Sequence, residues 1–172
     1  MLEIRKMKIL SIDNAANASG WSYWEDEKPI VWGVIYPNPK SAKDGARLTS
    51  LRKQFSLLID EHNPDIVLIE SPVGDDGPES NWRTMSVLFE VFGILRQLID
   101  EKGKKISIIS VSSWQNACGI HKRDRIGRKA GAVTFVERTY GLKDLEQDII
   151  DSICLGHYFI VSTKRERSAF ND

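Results

Sequence analysis

The 172-residue chain has 24 Lys and Arg against 24 Asp and Glu, with 41% hydrophobic and 28% charged residues. These proportions fit one soluble globular domain and argue against a disordered chain or a uniformly basic nucleic-acid binder. No apolar run nears the ~20 residues of a membrane span, residues 1–7 hold no signal-peptide core, and Cys118 and Cys154 offer neither a disulfide framework nor a CxxC metal site. The expected location is therefore the cytoplasm.

In chain order, Ile9, Leu10 and Ile12 predict a strand buried on both faces that ends on Asp13. The aromatic-rich run 20–24 and the apolar run 30–36, joined by a turn at 25–29, predict two further strands in an antiparallel meander. Leu48, Leu51, Phe55, Leu58 and Ile59 recur at helical spacing over 43–61. Pro64 follows, and 65–70 is a second apolar strand that also ends on an acid, Glu70. Strand, helix, strand implies a right-handed crossover that sets Asp13 and Glu70 at one sheet edge, where open α/β sheets bind ligands.

Residues 71–80 read as a mobile loop over that edge. The helix 81–101 carries an apolar stripe too wide for one sheet-facing side, so other core helices or a second subunit must cover the rest. A third buried strand is expected at 104–111, then a short helix around 114–118 capped by Ser112 or Ser113. A basic loop (His121, Lys122, Arg123, Arg125) leads into a helix at 126–140, which Gly141 stops. A last helix at 145–161 opens with Asp148 and Asp151. His121 is read as a phosphate contact, and His62 and His157 as packing or surface residues. Asn17, Ala18 and Ser19 match the glycosylation triplet, which is expected to be idle.

Asp148 and Asp151, spaced i, i+3, project from one helix face among Ile149, Ile150 and Ile153. Either acid alone is explained as a first-turn residue complementing the helix dipole, and Asp13 alone as a turn cap. Two buried strands ending in acids together with this pair are a rarer combination. Converging carboxylates repel unless protonated or bridged by a cation. Oxygen ligands without a thiolate or histidine cluster suit Mg²⁺ rather than zinc. Two such ions per site, bridged by Asp13 with Glu70 on one side and Asp148 and Asp151 on the other, would serve phosphodiester hydrolysis.

Ile9-Leu-Ser-Ile-Asp13, the Gly20-Trp21 strand, Ile66-Val-Leu-Ile-Glu70-Ser-Pro, Arg128-Lys129-Ala and Asp148-Ile-Ile-Asp151-Ser-Ile, taken together and in order, resemble a RuvC-type Holliday junction resolvase. The likeness is nearer to the bacteriophage-encoded members, which would place the protein in a host cytoplasm. It spans about residues 7–161, leaving 1–6 and 162–172 peripheral to a single domain over 1–172. It implies an α/β RNase H-like fold with a five-stranded mixed sheet, three strands antiparallel and two parallel, flanked by helices. It also implies a homodimer and Mg²⁺- or Mn²⁺-dependent paired nicking of four-way junctions in DNA recombination and repair. The family's four acids carry over onto Asp13, Glu70, Asp148 and Asp151. Helix 81–101 becomes the candidate seam, since two symmetric nicks need two sites across a two-fold axis.

Two departures stand out. The family's lysine before the glycine matching Gly119 is absent from 114–118, while Lys129 fits its second basic position, where it would stabilise charge on the scissile phosphate. The family's base-stacking aromatic after the Glu70 strand is also absent, and Trp82 is its stand-in unless it packs on a dimer partner. Lys122, Arg123, Arg125 and Arg128 are expected to hold flanking phosphates. Other readings are a fork- or hybrid-cutting RNase H-like nuclease and a non-catalytic junction-binding scaffold. An actin-like nucleotide module is the least apt, because the chain is too short for two lobes and has no Gly-rich phosphate loop beside Asp13.

Overall fold

The computed structural model describes residues 6–72 and 82–169. Strands β1 (Lys8–Asp13), β2 (Ser19–Glu25) and β3 (Lys28–Ile35) form the meander. Helix α1 (Asp44–His62) crosses over to β4 (Ile66–Glu70), and α2 (Trp82–Glu101) leads to β5 (Lys105–Ile109). Three helices follow: α3 (Val111–Ala117), α4 (Arg125–Tyr140) and α5 (Gln147–Ala169). The sheet order is β3-β2-β1-β4-β5, with β1–β2 and β2–β3 antiparallel and β1–β4 and β4–β5 parallel. This is the expected mixed five-stranded architecture. Residues 73–81, most of the loop read as mobile, lie outside the described residues.

Alternation along the central strands separates two cores. Leu10, Ile12, Val67 and Ile69 pack with α1 and α2, whereas Ile9 and Leu68 pack with α3, α4 and α5. Because side chains alternate with a period of two, Asp13 falls on the face of Ile9, and Glu70 on the face of Leu68. Both acids therefore belong to the α5 side. In-register parallel pairing up to Ile12↔Ile69 then sets Asp13 and Glu70 side by side where their strands end.

Helix α5 lies close against that face because a small residue stands on one side or the other at each contact. Gly20, Ser22 and Trp24 stand opposite Asp13, Ser11 and Ile9. Ser11 Oγ donates to the Ser152 carbonyl at 2.7 Å, and Gly156 accommodates the Trp24 indole. A Cβ on Gly20 would stand 1.9 Å from the Asp148 carbonyl oxygen, a backbone atom with nowhere to move. Gly20→Ala is expected to cost about 3 kcal/mol or more, at the upper end of overpacking penalties, and to lower the melting temperature by roughly 6–12 °C in calorimetry.

Several expectations change. The strand predicted at 104–111 is shorter and not fully buried: β5 is an edge strand flanked only by β4, with Ile108 43% exposed. The cap of α3 is Ser110, whose Oγ accepts from Ser113 N at 3.2 Å, so the helix starts earlier than predicted. Helix α5 begins at Gln147 and runs beyond 161 to Ala169, longer at its C-terminal end than predicted. Gly141 ends α4 in the left-handed region, as expected. Ser19 of the glycosylation triplet is fully buried, its hydroxyl bonded to the backbone of Ala15. His62 stacks on Tyr23 at 4.7 Å, and His157 Nδ1 is paired with the Tyr140 hydroxyl at 2.7 Å, both in packing roles. Among the described residues, no helix is long and apolar enough to cross a membrane.

Candidate active site

A cleft of about 530 Å³ opens where β1 and β4 end. Its wall holds Asp13 and Glu70 from the strand ends, Asn14 just after β1, Ser71 and Pro72 just after β4, Val111, Trp114 and Gln115 from α3, and Asp151 from α5. Arg125, Arg128 and Lys129 from α4, with Thr84, Met85 and Leu88 from α2, complete it. Asp148 is not part of the wall, but its charge acts on Asp13 and Asp151. All four acids are half-buried.

Their electrostatics follow from crowding. Burial pushes the Asp13 carboxyl well above the usual range, and repulsion from Glu70, Asp151 and Asp148 pushes it further. Glu70 is raised to about 7, chiefly by burial, against a lowering contribution from Trp114. Asp151 is raised to about 6 by burial, with Gln147, Lys129 and Arg125 working the other way. Asp148 is raised as well, again first by burial. Lys129 is the cation common to Asp13, Asp148 and Asp151, and it is exposed, so water weakens its hold.

The chain thus brings together the five residues singled out as catalytic: Asp13, Glu70, Asp148, Asp151 and Lys129. Arg125 and Arg128 join them on the wall, while Lys122 and Arg123 sit in the exposed approach to α4. The start of α4 is fixed by Asp124, whose carboxylate accepts from Gly127 N at 2.7 Å. Trp82, 74% exposed at the head of α2, carries the Arg83 guanidinium 6.0 Å from its ring centre. It stands two residues before Thr84 of the cleft wall.

Three supporting side chains were not anticipated. Asn14, 7% exposed, accepts the Glu70 N–H on Oδ1 at 2.8 Å. Trp114 Nε1 donates to Glu70 Oε2 at 2.8 Å. Gln147 Nε2 donates to Asp151 Oδ1 at 2.7 Å. The last was available from spacing, since Gln and Asp at i, i+4 meet on a helix. Nothing local betrays the others, which join residues 56 and 44 positions apart.

The donor set suits a hard divalent cation: four carboxylates, no thiolate, and buried negative charge that one exposed lysine does not offset. Among the described residues, no three acidic, histidine or cysteine side chains already form a metal cage. An ion would have to draw the carboxyls closer together than they stand.

No family model and no curated protein matches this sequence. Solved structures do. Thermus thermophilus RuvC in complex with a Holliday junction substrate superposes with TM-score 0.73 at 12% identity, over 92% of this chain and 96% of that one. The fold is that of RuvC. A second Thermus thermophilus RuvC structure agrees, with TM-score 0.71 at 13% identity over 93% and 97% of the two chains. The yeast mitochondrial Holliday junction resolvase follows with TM-score 0.58 at 15% identity over 90% and 78%. With this RuvC fold, the acids of the cleft lie on β1, β4 and α5, and the basic wall on α4.

Proposed function

We propose that this protein is a Mg²⁺-dependent endonuclease that resolves four-way DNA junctions by paired symmetric nicks. The observation that carries the reading is the meeting of Asp13, Glu70, Asp151 and Lys129 in one cleft of a RuvC fold, with Asp148 close enough for its charge to act on Asp13. Asp13, Glu70, Asp148 and Asp151 would hold two Mg²⁺ ions, with Mn²⁺ as a substitute. Such ions, when bound, activate a water and stabilise the leaving oxygen of a phosphodiester.

The protein's own residues account for the rest. Lys129 presents its charge beside Asp13, where negative charge builds on a phosphate under attack. Arg125 and Arg128 extend that positive wall, and Lys122 and Arg123 continue it outward along a strand's phosphates. Zero net charge is no obstacle, because Lys122, Arg123, Arg125, Arg128 and Lys129 are gathered on one loop and the start of one helix. Trp82 presents a large, exposed ring for stacking on a base near the crossover.

Two symmetric nicks need two such clefts, hence a homodimer. Helix α2 suits the seam. Its later residues Val91, Leu95, Leu98 and Ile99 are spent in the core, while Phe89 remains 48% exposed beside the cleft residues Met85 and Leu88. Val87 and Phe92 also pack against that core, so of the stripe's apolar residues it is Phe89, next to half-exposed Met85 and Leu88, that is left for a partner. The bacteriophage affinity read from the motifs stays part of this proposal.

The test is cleavage of a synthetic four-way junction, a fork and an RNA–DNA hybrid in Mg²⁺ and in Mn²⁺. Paired nicks at symmetric positions of the junction are expected. Cutting confined to the RNA strand of the hybrid would move the assignment to another RNase H-like activity. Tight junction binding without cleavage in either metal would favour the scaffold, to which the lysine-free segment 114–118 lends its one argument.

A further inference from the structure

Segment 114–118 lacks a lysine, yet it reaches the acids. Trp114 is 4% exposed, its ring packed in the core that includes Cys118, Ile120 and Phe135. A buried indole N–H needs an acceptor, and here the acceptor is Glu70 Oε2 at 2.8 Å. The geometry is fixed from several sides. Glu70 pairs with Ile109, Ser71 N donates to the Ile109 carbonyl at 2.8 Å, and α3 starts at once on its Ser110 cap. Asn14 secures the Glu70 backbone N–H. Glu70 is therefore held by its main chain and by one carboxyl oxygen, and no hydrogen bond among the described residues occupies the other.

We infer that Trp114 is a positioning residue that holds Glu70 ready for a divalent cation. The inference rests on the metal-dependent reading above. A charged donor such as a lysine would offset the carboxylate's charge while orienting it. An indole N–H orients it and leaves the negative charge for the metal, as donors behind metal ligands do.

The experiment measures Mn²⁺ binding to the DNA-free protein by the electron paramagnetic resonance of unbound Mn²⁺. Trp114→Phe keeps an aromatic ring and removes the donor, and it is expected to weaken Mn²⁺ binding by about 10-fold or more. Glu70→Gln should weaken it at least as much. In the Glu70→Gln background, Trp114→Phe should add less than about twofold, the non-additivity of residues acting through one another. A second measurement needs no folded variant: the ¹H–¹⁵N signal of the Trp114 indole in the wild-type chain should shift when Mg²⁺ is added.

Equal Mn²⁺ affinity in the wild type and a folded Trp114→Phe protein overturns the inference, as does an indole signal that Mg²⁺ leaves unmoved. A wild-type protein that binds no Mn²⁺ overturns it together with the metal-dependent reading. Mn²⁺ binding that tracks Trp114 in a protein that cuts no DNA supports the inference and removes only the nuclease reading.

Discussion

Asp13→Asn is expected to reduce junction cleavage by at least ~10³-fold, beyond the 10–100-fold typical of residues that only orient a metal ligand. Asp13 is the acid on which the charges of Glu70, Asp151 and Asp148 all bear, and Lys129 opposes them there. Asparagine keeps the shape and one acceptor oxygen but removes the charge that a bridging ligand contributes. Junction affinity should stay within about threefold of wild type, since phosphate contacts from Lys122, Arg123, Arg125 and Arg128 are untouched and sequence-independent binding is largely electrostatic. Cleavage and binding are read on the same labelled junction, one with Mg²⁺ and the other with Ca²⁺ or EDTA. A variant that nicks within tenfold of wild type would remove Asp13 from the centre of the chemistry.

The same substitution separates catalysis from folding. A desolvated carboxylate crowded by three others opposes the folded state whenever it is ionised. Asp13→Asn should therefore match or exceed the thermal stability of the metal-free wild type at pH 8. Loss of cutting with gain of stability is the pattern of a residue kept for function at a cost to the fold.

How far the sequence disclosed this arrangement depends on the range of each interaction. Strand and helix identities followed from local periodicity, and the parallel crossover between the Asp13 and Glu70 strands placed both acids at one sheet edge, whereas their direct adjacency comes from the pairing of β1 with β4. Asp148 and Asp151 came from i, i+3 spacing. What stayed hidden was settled by alternation over a whole strand or by contacts across the chain. β1 read as an unbroken apolar run, yet Ser11 and Asp13 share a face with Ile9, and it is that face which α5 covers. Gly20 looked like one more small residue, and only the approach of the Asp148 carbonyl gives it meaning. Trp114 entered only as part of a short helix without a lysine, and its donor was assigned to nothing because Glu70 lies 44 residues away. The extent of β5 was overestimated for the converse reason, since an apolar run does not reveal whether a strand has one neighbour or two.

The crowding of the acids has a consequence for the whole molecule. In the metal-free protein, stability should fall as pH rises from about 4.5 to about 8. Glu70 titrates near 7 and Asp151 near 6 in the fold, both above the ordinary carboxylate range near 4 that they return to on unfolding. Between those limits the folded chain holds more protons than the unfolded one, so each unit of rising pH favours unfolding. The stabilisation is fully present below the unfolded values and is gone above the folded ones. Each group contributes on the order of 3 kcal/mol, and because the groups interact the contributions do not simply add. A drop in melting temperature of roughly 5–10 °C between pH 5 and pH 8 follows for a chain of this length. Millimolar Mg²⁺ should recover most of that loss at pH 8 and little at pH 5, where protons already occupy the carboxyls and compete with the ion. Calorimetry at the two pH values, with and without Mg²⁺, reads all four states. A melting temperature that climbs steadily from pH 5 to pH 8 and ignores Mg²⁺ would mean that these carboxylates neither crowd one another nor await a cation, and the cleft would lose its claim to be a metal-dependent nuclease site.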